Sequence, residues 1–74
     1  MSTKRRVTQQ FDAKHANTRR RERFAPGELL TVSDAAEPLH STFTRINGLR
    51  PQRGVECHYI MESDELNAKT EIQP

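Results

Sequence analysis

Val55-Glu56-Cys57-His58-Tyr59-Ile60-Met61 alternates without a break: Val55, Cys57, Tyr59 and Met61 fall on one face, and Glu56, His58 and Ile60 on the other. Successive side chains of a strand point to opposite faces, so this period of two marks a strand with one apolar face laid on a core. Immediately upstream, Arg50-Pro51-Gln52-Arg53-Gly54 places proline and glycine at favoured type I turn positions. Before that stands Asn47-Gly48, whose residues tolerate the positive φ that a two-residue hairpin turn demands.

Thr42-Phe43-Thr44-Arg45-Ile46 leads into those turns and is rich in β-branched and aromatic residues, as strands are. Further upstream, Glu28-Leu29-Leu30-Thr31-Val32-Ser33 reads as another strand, interrupted by Asp34 to Pro38. Together these segments predict a three-stranded antiparallel meander whose last loop carries Arg50 and Arg53. Phe43 and Tyr59 are expected inside, with Phe24 pinning the preceding segment onto the sheet.

The N-terminal segment has a different character. Residues 1–24 hold eight of the twelve basic residues, Lys4, Arg5, Arg6, Lys14, Arg19, Arg20, Arg21 and Arg23, against Asp12 and Glu22, a net +6; the remaining fifty residues carry −4. Asp12 to Arg23 contains good helix formers with no glycine or proline, and Thr8 or Asp12 is placed to cap a helix that Ala25-Pro26-Gly27 would stop. The final zone, 62–74, is acidic, with only Leu66 and Ile72 as sizeable apolar residues, and reads as a short helix or frayed tail. The expected fold is a small α+β unit: a basic N-terminal arm or short helix (1–24) packed on a three-stranded sheet (25–61), with a flexible acidic C-terminal tail (62–74), one domain in all.

At 74 residues and 32% hydrophobic content, the chain is near the lower limit for a self-sufficient core, so part of it is expected to stay unfolded or to fold on a partner. No apolar run reaches the length of a membrane span or of a signal peptide. The lone Cys57 cannot form an internal disulfide, so a cytoplasmic protein is expected; a monomer is expected as well.

Metal and catalytic chemistry find no support. A structural zinc site needs about four ligands, and the chain offers Cys57, His15, His40 and His58, of which Cys57 and His58 are neighbours on a strand and point apart. Cys57 reads as a small core residue and His58 as solvent-facing. His40-Ser41 lacks an orienting partner, since nucleophile and base are matched by geometry rather than adjacency. Gly27, Gly48 and Gly54 each belong to a turn, so no phosphate-cradling loop exists. No cofactor and no enzymatic activity are expected.

The informative feature is Thr18-Arg19-Arg20-Arg21-Glu22-Arg23. Arginine presents a planar fork of donors that grips phosphate bidentately, and a dense run follows a polyanion while releasing its counterions. The competing readings are an arm that pairs with an acidic protein surface and a merely solvated face. Ala16-Asn17-Thr18-Arg19-Arg20-Arg21-Glu22-Arg23 resembles the arginine-rich RNA-binding motif of the lambdoid phage N antitermination proteins over about eight residues. That resemblance implies a segment that becomes helical on an RNA hairpin. The wider profile is similar to small lytic-phage regulators that bind host RNA polymerase and block initiation or termination. It implies a transcription regulator whose contacts come from Lys4, Arg5, Arg6, Lys14, Arg19, Arg20, Arg21 and Arg23, with Val7 and Phe11 as apolar anchors and Arg50 and Arg53 from the sheet loop. The alternative is a small RNA- or DNA-binding module that uses the same arginines on phosphates.

Overall fold

Phe11-Asp12-Ala13-Lys14-His15 alternates buried and exposed residues along its length, and this short strand changes the architecture expected above. The computed structural model describes residues 2–33, 40–46 and 57–74. Their elements are strands β1 (Ser2–Val7), β2 (Phe11–His15), β3 (Arg21–Phe24), β4 (Leu29–Ser33), β5 (His40–Ile46) and β6 (His58–Glu62), helix α1 (Ser63–Lys69) and strand β7 (Thr70–Ile72). All pairings are antiparallel, and the single sheet runs β3-β2-β6-β5-β4-β1-β7.

The fold is therefore dominated by β structure, and the expected α+β arrangement of a helix on three strands is corrected. The meander is present as β4, β5 and β6, but the basic arm adds three further strands instead of a helix. As a helix, 12–23 would lay only a thin apolar stripe against the sheet. As a hairpin it sets Phe11 directly opposite Phe24, with ring centroids 5.1 Å apart, and delivers both to the core. Aromatic pairs of this kind contribute about 0.5–1.5 kcal/mol beyond area burial, enough to override a weak local helix preference.

The acidic segment, expected as a short helix or a frayed, flexible tail, is structured: the short helix is α1, and the flexible tail is corrected. Leu66 is fully buried, and Thr70 Oγ1 donates to the Leu66 carbonyl at 2.7 Å as α1 passes into β7. Asp64 and Glu65 in the first turn and Lys69 in the last match the helix dipole. β7 then pairs with β1 through Arg5↔Ile72, Arg6↔Glu71 and Val7↔Thr70, which ties the two ends of the chain together.

The sheet is strongly curled. β3 and β5 lie three places apart in the strand order, about 14 Å on a flat sheet, yet the Phe24 and Phe43 rings are 5.3 Å apart. The concave side encloses one core of Val7, Phe11, Ala13, Phe24, Leu30, Val32, Phe43, Tyr59, Met61 and Leu66, with Cys57 packed against it. Phe43, Tyr59 and Phe24 are inside, as expected. His58, expected to face solvent, is half-buried, with Nδ1 3.2 Å from Thr44 Oγ1.

One turn requires its glycine. Gly27, at φ 96°, donates its N–H to the Val7 carbonyl and accepts Arg6 Nη1 on its own carbonyl, so it locks the end of β1 to the start of β4. The expected turns at Asn47-Gly48 and Arg50 to Gly54, and the first residues of the Val55 strand, lie outside the described residues. Among the described residues no helix is long and apolar enough to cross a membrane.

Candidate nucleic-acid interface

Strand register sorts the basic residues of the N-terminal segment into three groups. In the β2–β3 hairpin, Ala13↔Glu22 and Phe11↔Phe24 face the core side, while Asp12↔Arg23 and Lys14↔Arg21 face outward. The hairpin turns through Ala16 to Arg20. There Asn17 N–H donates to His15 Nδ1 at 3.2 Å and Arg20 N–H donates to Thr18 Oγ1 at 3.1 Å, so short polar side chains hold the reversal. His15 is itself buried, edge-on to Tyr59. Arg19 is exposed on this turn.

The first group comprises arginines already partnered on the hairpin. Arg20 pairs with Glu22 at 2.7 Å and Arg23 with Asp12 at 3.4 Å, both with more than half of the arginine side chain exposed. The Arg20 guanidinium is held above its ordinary pKa by hydrogen bonding to Tyr59 and by the nearby Glu22 charge. The second group comprises Lys14, Arg19 and Arg21. All three are exposed, and among the described residues none makes an ion pair. Lys14 and Arg21 stand directly opposite each other, a like-charge cross-strand pair that costs stability when nothing neutralises it.

The third group lies on β1, across the sheet. Lys4 is exposed and faces outward with Thr31. Arg5 shares the inward face with Leu30, and its Nε is buried without a hydrogen-bond partner among the described residues. Arg6 is half-buried and donates to the Gly27 carbonyl at 3.0 Å and to Gln73 Oε1 at 3.2 Å, a role in closing the fold. Val7 and Phe11, expected to anchor a partner, are 1% and 4% exposed and belong to the core. Enclosed by the folded sheet, these two side chains reach a partner only if the core opens. Arg50 and Arg53 lie outside the described residues.

A charged cluster that sequence reasoning missed positions the hairpin. Glu22 accepts hydrogen bonds from Tyr59 O–H at 2.6 Å and Arg45 Nη1 at 2.9 Å. Arg45 also donates to the Arg23 carbonyl at 2.7 Å, meets Glu28 at 2.7 Å, and lies 4.2 Å above the Phe24 ring. One guanidinium thus ties β3 to β5 and to the turn before β4 at the rim of the core. Burial, with the hydrogen bond to Glu22 adding to it, raises the Tyr59 pKa. The signal available in the sequence was Glu22, a lone acid among arginines.

Beside Lys14 lies an open groove of about 360 Å³ lined by Lys14, His15, Ala16, His40, Ile60, Met61 and Glu62. Outward-facing Ile60 is opposite both Lys14 and Thr42 on its two neighbouring strands. Glu62 brings a carboxylate to the groove, so the cationic surface runs from Lys14 toward Arg21 and Arg19 rather than toward α1, whose first turn is acidic. Comparison with known proteins gives no relative from which to read this site: no family model matches the chain, and neither a curated protein nor a solved structure matches it.

Proposed function

We propose that this protein is a non-enzymatic nucleic-acid-binding module that grips phosphates through the outer face of the β2–β3 hairpin. Lys14, Arg19 and Arg21 are the primary contacts, with Arg20 and Arg23 beside them. The observation that carries the reading is the opposed Lys14–Arg21 pair, unneutralised by any described carboxylate and adjacent to exposed Arg19. Two cations held side by side on a rigid ribbon repel each other, and a phosphate backbone relieves that repulsion while releasing its own counterions. The lone Cys57 suits a reducing cytoplasm, where such a ligand is found.

This reading is favoured over a regulator docked on RNA polymerase because Val7 and Phe11, the apolar anchors of that alternative, are enclosed in the core. Charge alone steers association more than it supplies affinity for a protein surface. The test is fluorescence anisotropy of labelled nucleic acid at low salt with the wild type and the Lys14→Ala/Arg19→Ala/Arg21→Ala variant. Binding by the wild type and its loss in a variant with an unchanged circular dichroism spectrum is the expected result. Equal binding by the two proteins contradicts the assignment.

A further inference from the structure

The aromatic residues of this chain say which form of nucleic acid the hairpin fits, an inference that rests on the phosphate-binding reading above. The chain has three phenylalanines, one tyrosine and no tryptophan. All four rings are in the core: Phe11 is 4% exposed, Phe24 and Phe43 are 0% and Tyr59 is 2%. They pack on one another through centroid distances of 4.9 to 6.0 Å, so none can turn outward without opening the core. The outer face instead offers Lys14, Arg21, Ile60, Thr42 and His40 around the groove, with the Glu62 carboxylate opposite His40 at the end away from Arg21.

Single-strand binders combine a cationic track with exposed aromatic platforms on which unpaired bases stack. Each stacked base strengthens binding by roughly five- to 150-fold. This surface has the cations and lacks the platform; the exposed imidazole of His40 is a small substitute at the far side of the groove from Arg21. A duplex needs no platform, because its bases are already stacked on each other. It also presents one negative charge per about 1.7 Å of axis, denser than a single strand. Lys14 and Arg21 in cross-strand register, with Arg19 exposed on the adjoining turn, offer clustered positive charge to that backbone.

We infer that the ligand is the phosphodiester backbone of double-stranded nucleic acid, held without base readout. The experiment is anisotropy at low salt with labelled duplex DNA, duplex RNA and an oligothymidine single strand of equal length, using the wild type, His40→Ala and the Lys14/Arg19/Arg21 triple alanine variant. The expected result is about tenfold or tighter preference for a duplex over the single strand, following the charge density of the ligand. This preference should be unchanged in His40→Ala and absent with all binding in the triple variant. The two duplex arms show whether B-form or A-form geometry is preferred. Single-strand affinity equal to or above that of both duplexes, or a single-strand affinity that falls in His40→Ala, overturns the duplex inference and leaves phosphate binding standing. Absence of binding to every probe, or duplex binding that survives in the triple variant, overturns both.

Discussion

Lys14 on β2 and Arg21 on β3 are directly opposed on the outer face of the hairpin, two cations in cross-strand register that make no ion pair among the described residues. Their neighbours on the same ribbon, Asp12 and Arg23, form an opposite-charge pair at 3.4 Å. The hairpin therefore neutralises itself at its base and leaves positive charge toward its turn.

Arg21→Glu converts the opposed pair from like to opposite charge. Urea denaturation should show a gain of about 0.2–1 kcal/mol in stability, while nucleic-acid affinity falls. A variant that is more stable and binds less well identifies Arg21 as a residue that serves contact rather than fold.

Tyr59→Phe removes the 2.6 Å hydrogen bond to Glu22 and leaves that carboxylate with its arginine partners. A hydrogen bond to a charged group contributes about 1.5–3 kcal/mol, and partial exposure of Glu22 places the loss toward the lower end of that range. Arg45→Ala should cost more, because it releases Glu22, Glu28, the Arg23 carbonyl and the Phe24 ring together. Chemical denaturation of both variants checks the order.

Alkaline pH acts through Tyr59. Its pKa is raised in the folded state, first by burial and then by the bond to Glu22. Between the unfolded value of about 10 and the folded value, the unfolded chain binds fewer protons, so stability falls as pH rises. The Tyr59 contribution is complete below about pH 10 and is lost as pH rises through the folded pKa. Absorbance of tyrosinate reports this directly, since Tyr59 is the single tyrosine and there is no tryptophan. Titration should run above that of the denatured chain, and Tyr59→Phe should lose this part of the pH dependence.

Leu66→Ala tests whether the acidic C-terminal segment belongs to the fold. Leu66 is fully buried, and truncation of such a side chain costs about 2–5 kcal/mol. The same change should speed hydrogen exchange at Thr8, whose N–H donates to the Lys69 carbonyl at the junction of α1 and β7. Unchanged exchange there would show that α1 does not hold that junction.

The legible part of the sequence was the meander. β4 and β6 follow from alternation in 28–33 and 55–61, and β5 from the β-branched and aromatic residues of 42–46; Phe43 and Tyr59 were expected inside, with Phe24 against the sheet, because four aromatic residues are barely enough for a core. The hairpin was hidden because, between Phe11 and Phe24, its inward positions Ala13, His15 and Glu22 are not strongly apolar, and because its arginines and alanines favour helix locally. Its stabilising partners, Tyr59 and Phe43, are far along the chain, and β-pairing is decided by such distant neighbours. β7 was hidden for a related reason: three residues with an exposed Ile72 form a strand only because β1 offers an edge. The basic site was legible as composition. Which cations are neutralised depends on register, which separates Arg20 and Arg23 from Lys14, Arg19 and Arg21.

The most direct measurement is the salt dependence of binding to a duplex between 50 and 200 mM, compared between the wild type and single alanine variants at Lys14, Arg19 and Arg21. Three phosphate contacts predict a log–log slope near −2.7 and roughly a fortyfold loss of affinity over that range, with the slope shallower by about one in each variant. A slope that is flat in the wild type, or identical in all four proteins, would show that these three side chains do not bind phosphate.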